Sequence, residues 1–200
     1  MKRAIVDLDG ILAAFNEAAH AILSAHGPMK ALEVDGPSCW DWYEEYGAVP
    51  AGLLTLKQQM HTAAFWRSLD VHRDAATPEV INSLSELMGN TEVSFVTARP
   101  VGRNATALWL MDNFYTPYPT IVLTPGAKLA ALMAMHPSVI IEDNGPTLRD
   151  YALAVACNTV PPCTNILVKR PYNQAYWSTP GITPVNTTGE ALTLALEVTR

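Results

Sequence analysis

The sequence predicts an α/β fold: a three-layer core around a central parallel sheet, with a small helical cap inserted after the first strand. Three observations carry this. From about residue 76 onward, short β-branched runs alternate with helical stretches, the signature of βαβ units joined by right-handed crossovers. A lone apolar run, Arg3-Ala4-Ile5-Val6-Asp7-Leu8, precedes them. Between the two lies an irregular helical stretch rich in aromatic residues. The expected boundaries are 1–13 with 76–200 for the core and 14–75 for the cap.

Taken in order, residues 3–8 read as a buried strand that stops at Asp9-Gly10. Leu12, Phe15, Ala19, Ile22 and Leu23 follow the 3.6 period of a helix, which Gly27-Pro28 ends. Residues 29–47 read as a loop carrying Cys39-Trp40-Asp41-Trp42-Tyr43-Glu44-Glu45-Tyr46. Pro50 opens one helix with a stripe of Leu53, Leu56, Met60, Ala63 and Ala64, running to about Ser68. Helices are then expected at 78–88, 103–114, 127–135, 147–156 and 189–198, and strands at 92–97, 120–123, 138–142 and 164–169.

Composition narrows the function. Forty-nine per cent of the residues are hydrophobic and 16% charged, which excludes general disorder. The net charge of −6 argues against duplex nucleic acid, whose binding needs a basic surface, and leaves small anions as ligands. No apolar run approaches the roughly 18 residues of a membrane span. Three cysteines, Cys39, Cys157 and Cys163, form no CxxC pair, and residues 1–7 lack the shape of a signal peptide, so a cytoplasmic location is expected. His20, His26, His61 and His72 stand at no metal-binding spacing and are expected to be packed or surface imidazoles.

Ligands of open α/β sheets bind at the carboxyl ends of the strands, and here those ends carry polar residues. They read Asp7-Leu8-Asp9-Gly10, Thr97-Ala98-Arg99-Pro100 and Glu142-Asp143-Asn144-Gly145, with Lys128 opening the helix before the last of these. Asp7, the Asp9 region and Asp143 offer an oxygen cage of the kind Mg²⁺ prefers. A carboxylate can also attack phosphorus, and an acid two residues on can protonate the leaving oxygen and then activate water. Thr97 and Lys128 offer donors for phosphoryl oxygens, and Arg99 offers a bidentate fork or an ion-pair partner.

IVDLDGIL, FVTARP, Lys128 and IIEDN resemble the four motifs of the haloacid dehalogenase (HAD) superfamily of phosphohydrolases. The cap position, CWDWYEEYG, Phe65-Trp66-x-x-Leu69 and Val168-Lys169-Arg170-Pro171-Tyr172-Asn173 are similar to the 5′(3′)-deoxyribonucleotidase family, bacterial and phage members included. The resemblance implies a Rossmann-like core, Asp7 as nucleophile and Asp9 as general acid/base. It implies Mg²⁺ held by the Asp7 carboxylate, the Asp9 carbonyl and Asp143, with Thr97 and Lys128 on the phosphoryl group. One departure stands out, since that family often has two aspartates at the fourth motif and here the first is Glu142.

For the substrate, the resemblance puts Phe15 where that family stacks a base, and Trp40, Trp42 and Tyr43 can supply further walls. Phe15 also lies on a helical stripe with Ala19 and Ile22, so core packing competes for it. The expected activity is Mg²⁺-dependent hydrolysis of a small phosphomonoester, a nucleoside monophosphate first. Alternatives are another phosphomonoester such as a sugar phosphate, a polynucleotide end-healing phosphatase, or a non-catalytic module on the same scaffold. A homodimer stays open, and no membrane partner is expected.

Overall fold

A computed structural model of the chain describes residues 2–33 and 36–200. Met1, in the expected core, and Val34 and Asp35, in the expected 29–47 loop, lie outside the described residues. The elements are β1 (Arg3–Val6), α1 (Phe15–Ser24), α2 (Trp42–Glu45), α3 (Pro50–Met60), α4 (Ala63–Arg67), α5 (Pro78–Asn90), β2 (Glu92–Thr97), α6 (Arg103–Phe114), β3 (Thr120–Leu123), α7 (Lys128–Met135), β4 (Val139–Glu142), α8 (Gly145–Ala156), β5 (Thr164–Val168), β6 (Ile182–Val185) and α9 (Thr188–Thr199). Short 3₁₀ turns occupy Arg73–Ala75 and Pro171–Tyr176.

The strands form one parallel sheet in the order β3-β2-β1-β4-β5-β6. Both faces are covered, so the strands are largely apolar without alternation, with Ser94 of β2 and Asn165 of β5 as buried polar exceptions. Ala4, Val6, Phe95, Val139, Ile141, Ile166 and Val168 face one cluster shared with α5, α6 and α9. Ile5, Val96, Ile140 and Leu167 face the other, shared with Leu132 of α7 and Leu148 and Tyr151 of α8. Three layers result. Register places Val6 opposite Phe95 on one side and Ile141 on the other, so the first residues beyond β1, β2 and β4 emerge at one edge.

Four local expectations are corrected. The helix read over 50–68 breaks at His61-Thr62, because the Thr62 hydroxyl accepts from the Phe65 N–H and caps a new helix, α4. The helix read from Leu12 begins at Phe15; the N–H groups of Leu12 and Ala13 instead close a tight turn on the Leu8 carbonyl. Residues 42–45 of the expected loop are helical. The edge strand β6 escaped the sequence reading because Pro184 interrupts a four-residue run, and an edge is where a strand tolerates proline.

A buried polar network ties the segment after α4 to the sheet. Arg170, just past β5, donates from Nε and Nη2 to the Gly10 carbonyl at 3.0 and 2.7 Å, and from Nη1 to Asp74 Oδ2 at 3.1 Å. Asp74 also accepts from His72 Nδ1 at 2.5 Å and from the Thr188 N–H at 3.2 Å. Burial alone would raise the Asp74 pKa; the His72 hydrogen bond and the Arg170 guanidinium outweigh it and hold the carboxyl well below its ordinary 3.8. A lowered folded value means stability that is present above pH 3.8 and is lost as pH falls below it. Asp74→Asn should therefore cost about 3–5 kcal/mol at pH 7. Its denaturation midpoint should also vary less with pH below 3.8 than that of the wild type, which urea titrations across that range will check.

Candidate active site

The sheet's carboxyl edge gathers what the sequence reading singled out. Asp7 follows β1, and its N–H still continues the ladder to the Ile141 carbonyl at 2.9 Å, which fixes its exit from the sheet. The chain then turns at Gly10, whose φ of +81° lies in the left-handed region that favours glycine. Space demands glycine as well, since a Cβ there would lie 2.0 Å from Asp143 Oδ2. Thr97 ends β2, Glu142 ends β4 with Asp143 directly after it, and Lys128 is the first residue of α7.

Lys128 Nζ lies 2.8 Å from Asp7 Oδ1 and also pairs with Glu142 Oε2. Burial alone would lower its pKa, but the Asp7 and Glu142 carboxylates outweigh that and raise it, so the ammonium stays charged. Burial pushes the Asp7 carboxyl well up, helped by Glu142. It raises Glu142 too, and brings Asp143 to about 6, with Asp7 adding to the effect. Oxygens of Asp7, Glu142 and Asp143 lie within 4.8 Å of one another. Three buried carboxylates facing one lysine leave an excess of negative charge on hard oxygen donors, a set that fits a divalent cation such as Mg²⁺.

Glu142 has a second task. Its Oε1 accepts from the N–H groups of Asp143 and Asn144, at 3.2 and 3.1 Å, so it braces the turn that carries Asp143. Asn144 caps α8 by accepting from the Thr147 N–H at 2.9 Å. Two supports went unassigned in the sequence reading although their run, Arg170-Pro171-Tyr172-Asn173, drew notice there. The Tyr172 hydroxyl donates to Asp143 Oδ2, and Asn173 Nδ2 donates to the Asp143 carbonyl at 2.8 Å. Burial, with Asp143 beside it, pushes the Tyr172 phenol well up and keeps that proton on oxygen.

Asp9 faces the same cavity, of about 260 Å³. Its Oδ2 accepts from Thr97 Oγ1 at 3.2 Å. Arg99 is buried rather than at the surface, and its fork lies on Asp9: Nη2 to Oδ1 at 2.7 Å and Nε to Oδ2 at 3.0 Å. The far wall is aromatic. Phe15 stacks on Trp66 with centroids 5.8 Å apart and planes 15° off parallel. Trp40 stands half-exposed at the rim, edge-on to Tyr172. Trp42 is only 1% exposed, packed among His20, Tyr43 and Tyr46, and it donates from Nε1 to Asn16 Oδ1 at 3.2 Å. Tyr43 is partly buried beside it, its phenol pushed up to about 12 by burial with the Asp41 and Asp9 carboxylates adding. All ten residues selected from the sequence, Asp143 included, thus line one cavity, joined by Trp66, Asn16 and Tyr172.

No family model matches the sequence, and no curated protein matches it. Solved structures do. A haloacid dehalogenase-like hydrolase from Burkholderia xenovorans LB400 superposes with a TM-score of 0.58 at 13% identity, over 98% of this chain and 97% of that one. The haloacid dehalogenase-like hydrolase SP0104 from Streptococcus pneumoniae gives 0.59 at 13%, over 97% and 98%. A candidate beta-phosphoglucomutase from Thermotoga maritima gives 0.54 at 16%, over 99% and 100%. The fold is that of haloacid dehalogenase-like hydrolases. At such identities the likeness concerns architecture: a HAD-type parallel sheet whose carboxyl edge holds the cavity. Among the described residues no helix is long and apolar enough to cross a membrane.

The carboxylate cluster makes a direct prediction. Millimolar Mg²⁺ should raise the thermal midpoint of the wild type, because a ligand that binds only the folded state stabilises it by mass action. Asp143→Asn should respond much less; an equal rise in both proteins would place the cation elsewhere.

Proposed function

We propose that the protein is a Mg²⁺-dependent phosphomonoesterase of the HAD type that hydrolyses nucleoside monophosphates through an aspartyl-phosphate on Asp7. The observation that carries this is the convergence of Asp7, Asp9, Thr97, Lys128 and Asp143, from separate strand ends, on one cavity. In this reading residues 14–75 act as a cap over that cavity, and the acidic, small-volume site takes a free small molecule.

Asp7 attacks phosphorus with a carboxylate oxygen, and the phosphorus–oxygen bond to the leaving group breaks with its electron pair passing to that oxygen. Asp9 gives the oxygen a proton. Asp9 then takes a proton from water as the water oxygen attacks phosphorus, and the Asp7–phosphorus bond breaks with its pair returning to Asp7. Lys128 and the Thr97 hydroxyl neutralise and orient the phosphoryl oxygens. Asp7, Asp143 and the Asp9 carbonyl would hold Mg²⁺, with Glu142 beside them, and the ion's contribution is to offset phosphoryl charge while Asp7 approaches. Tyr172 and Asn173 keep Asp143 in place for that.

The nucleoside assignment rests on the wall. Phe15 and Trp66 present a stacked, apolar face, which suits a base of any identity. Trp40 and Tyr43 border the same space, and Trp42 contributes by holding Asn16 and Tyr43. A sugar phosphate is the second reading, favoured by the beta-phosphoglucomutase name of the Thermotoga maritima neighbour. Phosphate release from a panel of nucleoside monophosphates and sugar phosphates, with Mg²⁺ and with chelator, separates the two. Cytoplasmic action on a free metabolite completes the proposal.

Two variants test the roles. Asp7→Asn should remove turnover by several orders of magnitude while the far-UV spectrum and thermal midpoint hold, because an amide cannot attack phosphorus. Retained turnover would sink the mechanism. Phe15→Leu should raise KM for nucleoside monophosphates by the equivalent of about 1–3 kcal/mol of stacking while a baseless phosphoester is cleaved nearly as before. Equal damage to both, with a lower midpoint, would mark Phe15 as core.

A further inference from the structure

Arg99 is the largest charged side chain fully inside the protein, at 1% exposure. A guanidinium is rarely buried unless its donors are matched. Here they are matched by three anchors. Nε and Nη2 reach both oxygens of Asp9, Nη1 donates to Thr106 Oγ1 at 3.0 Å, and the guanidinium carbon lies 4.7 Å from the Trp66 ring centroid. Trp66 is itself fixed. Its Nε1 donates to the Met60 carbonyl at 2.8 Å, and it packs against Gly102 so closely that a Cβ there would lie 3.1 Å from its Cδ1.

We propose that Arg99 is the positioning residue for Asp9: seated on Trp66 and Thr106, it fixes the plane of the Asp9 carboxylate so that the leaving-group oxygen meets one defined carboxyl oxygen. This rests on the phosphomonoesterase reading above. Asp9 stands in the turn after β1 with a 23% exposed side chain, and the hydrogen bonds it accepts orient its carboxylate. The Arg99 fork and the Thr97 hydroxyl together engage both its oxygens, and a planar fork specifies a plane where a lysine ammonium specifies only a point. The proton path is unchanged: one proton leaves Asp9 for the departing oxygen and one returns from water.

The arrangement has a consequence for specificity. Trp66 is at once the partner of Phe15 in the proposed base wall and the seat of Arg99. The binding wall and the acid/base are therefore mechanically one stack, Phe15–Trp66–Arg99–Asp9.

The test exploits leaving groups. A nucleoside monophosphate leaves as an alcohol and needs Asp9's proton, whereas p-nitrophenyl phosphate leaves as a stable phenolate and does not. In Arg99→Lys, kcat/KM for the nucleoside monophosphate, which reports the step that expels the leaving group and not the later attack of water that both substrates share, should fall about 10–100-fold, part of the range that a positioned acid supplies. The p-nitrophenyl phosphate kcat/KM should fall far less. Placing Arg99→Lys on top of Asp9→Asn should add no further loss. If Arg99→Lys does not fold, Thr106→Val, which removes one anchor of the fork at constant shape, should move the same ratio in the same direction by a smaller factor. A ratio of the two kcat/KM values that stays at the wild-type level in the folded variants overturns the inference; where it stays there because both values fall together, Arg99 is a phosphate ligand. A wild type that releases phosphate from neither substrate overturns the phosphomonoesterase reading itself, which keeps the two failures apart.

Discussion

The site depends on a buried lysine held between two carboxylates. Parallel pairing of β1 and β4 brings Asp7 and Glu142 side by side, and the chain after β4 adds Asp143. Left alone, three carboxylates in that space would repel one another and lose their water. Lys128 answers part of this from the first turn of α7, touching Asp7 with one contact and Glu142 with another. The choice of glutamate rather than aspartate at 142 then has a physical reason. Its extra methylene lets one oxygen meet the lysine while the other accepts two backbone N–H groups of the following turn. Lys128, Glu142 and the Asp143 turn are one connected object.

A second buried ion pair does for the backbone what Lys128 does for the carboxylates. Arg170 holds the Gly10 carbonyl, and the same guanidinium holds Asp74, which His72 and Thr188 also bind. The loop that carries Asp9 and the segment by which the chain returns from α4 to the sheet are thereby fixed by one side chain. Neither pair is a net gain in stability by virtue of being a salt bridge, since desolvation offsets most of the attraction. What they provide is geometry. Each holds loop backbone that has no ladder of its own at the position the strand ends dictate.

How much of this was legible in the sequence follows from what each feature depends on. Strands β1, β2 and β4 were readable because a strand buried on both faces is mainly apolar, and Ala4-Ile5-Val6, Phe95-Val96 and Val139-Ile140-Ile141 are such stretches. The acids at their ends were readable for the same reason, standing out as charges directly after apolar text. Hidden features depend on partners distant in the chain. Tyr172 matters through Asp143, and Arg170 through Gly10, 160 residues away; no local pattern marks either contact. Arg99 was visible as a cation at a strand end, but its burial and its choice of Asp9 required Trp66 and Thr106 to be in place. The aromatic run 39–46 shows the opposite limit. Trp40 and Trp42 read alike, yet one is half-exposed at a rim and the other is packed among three rings, for the chain turns at residues 40–41 and α2 opens only at Trp42.

The cavity joins two surfaces of different physical character. Its floor is polar and rigid: carboxylates, a lysine and a guanidinium on the ends of a six-stranded sheet, each with its partners engaged. Its far wall is apolar and built from short helices that bring the rings of Phe15, Phe65 and Trp66 into contact. Charge interactions at the floor are directional and tolerate little displacement, whereas stacking tolerates a change of base or of ring. On the proposed function, the wall is where substrate choice can vary at small cost to the chemistry, with one exception. Trp66 belongs to both surfaces, through Phe15 on one side and Arg99 on the other, so of all the wall residues it is the one whose replacement should disturb binding and proton transfer together.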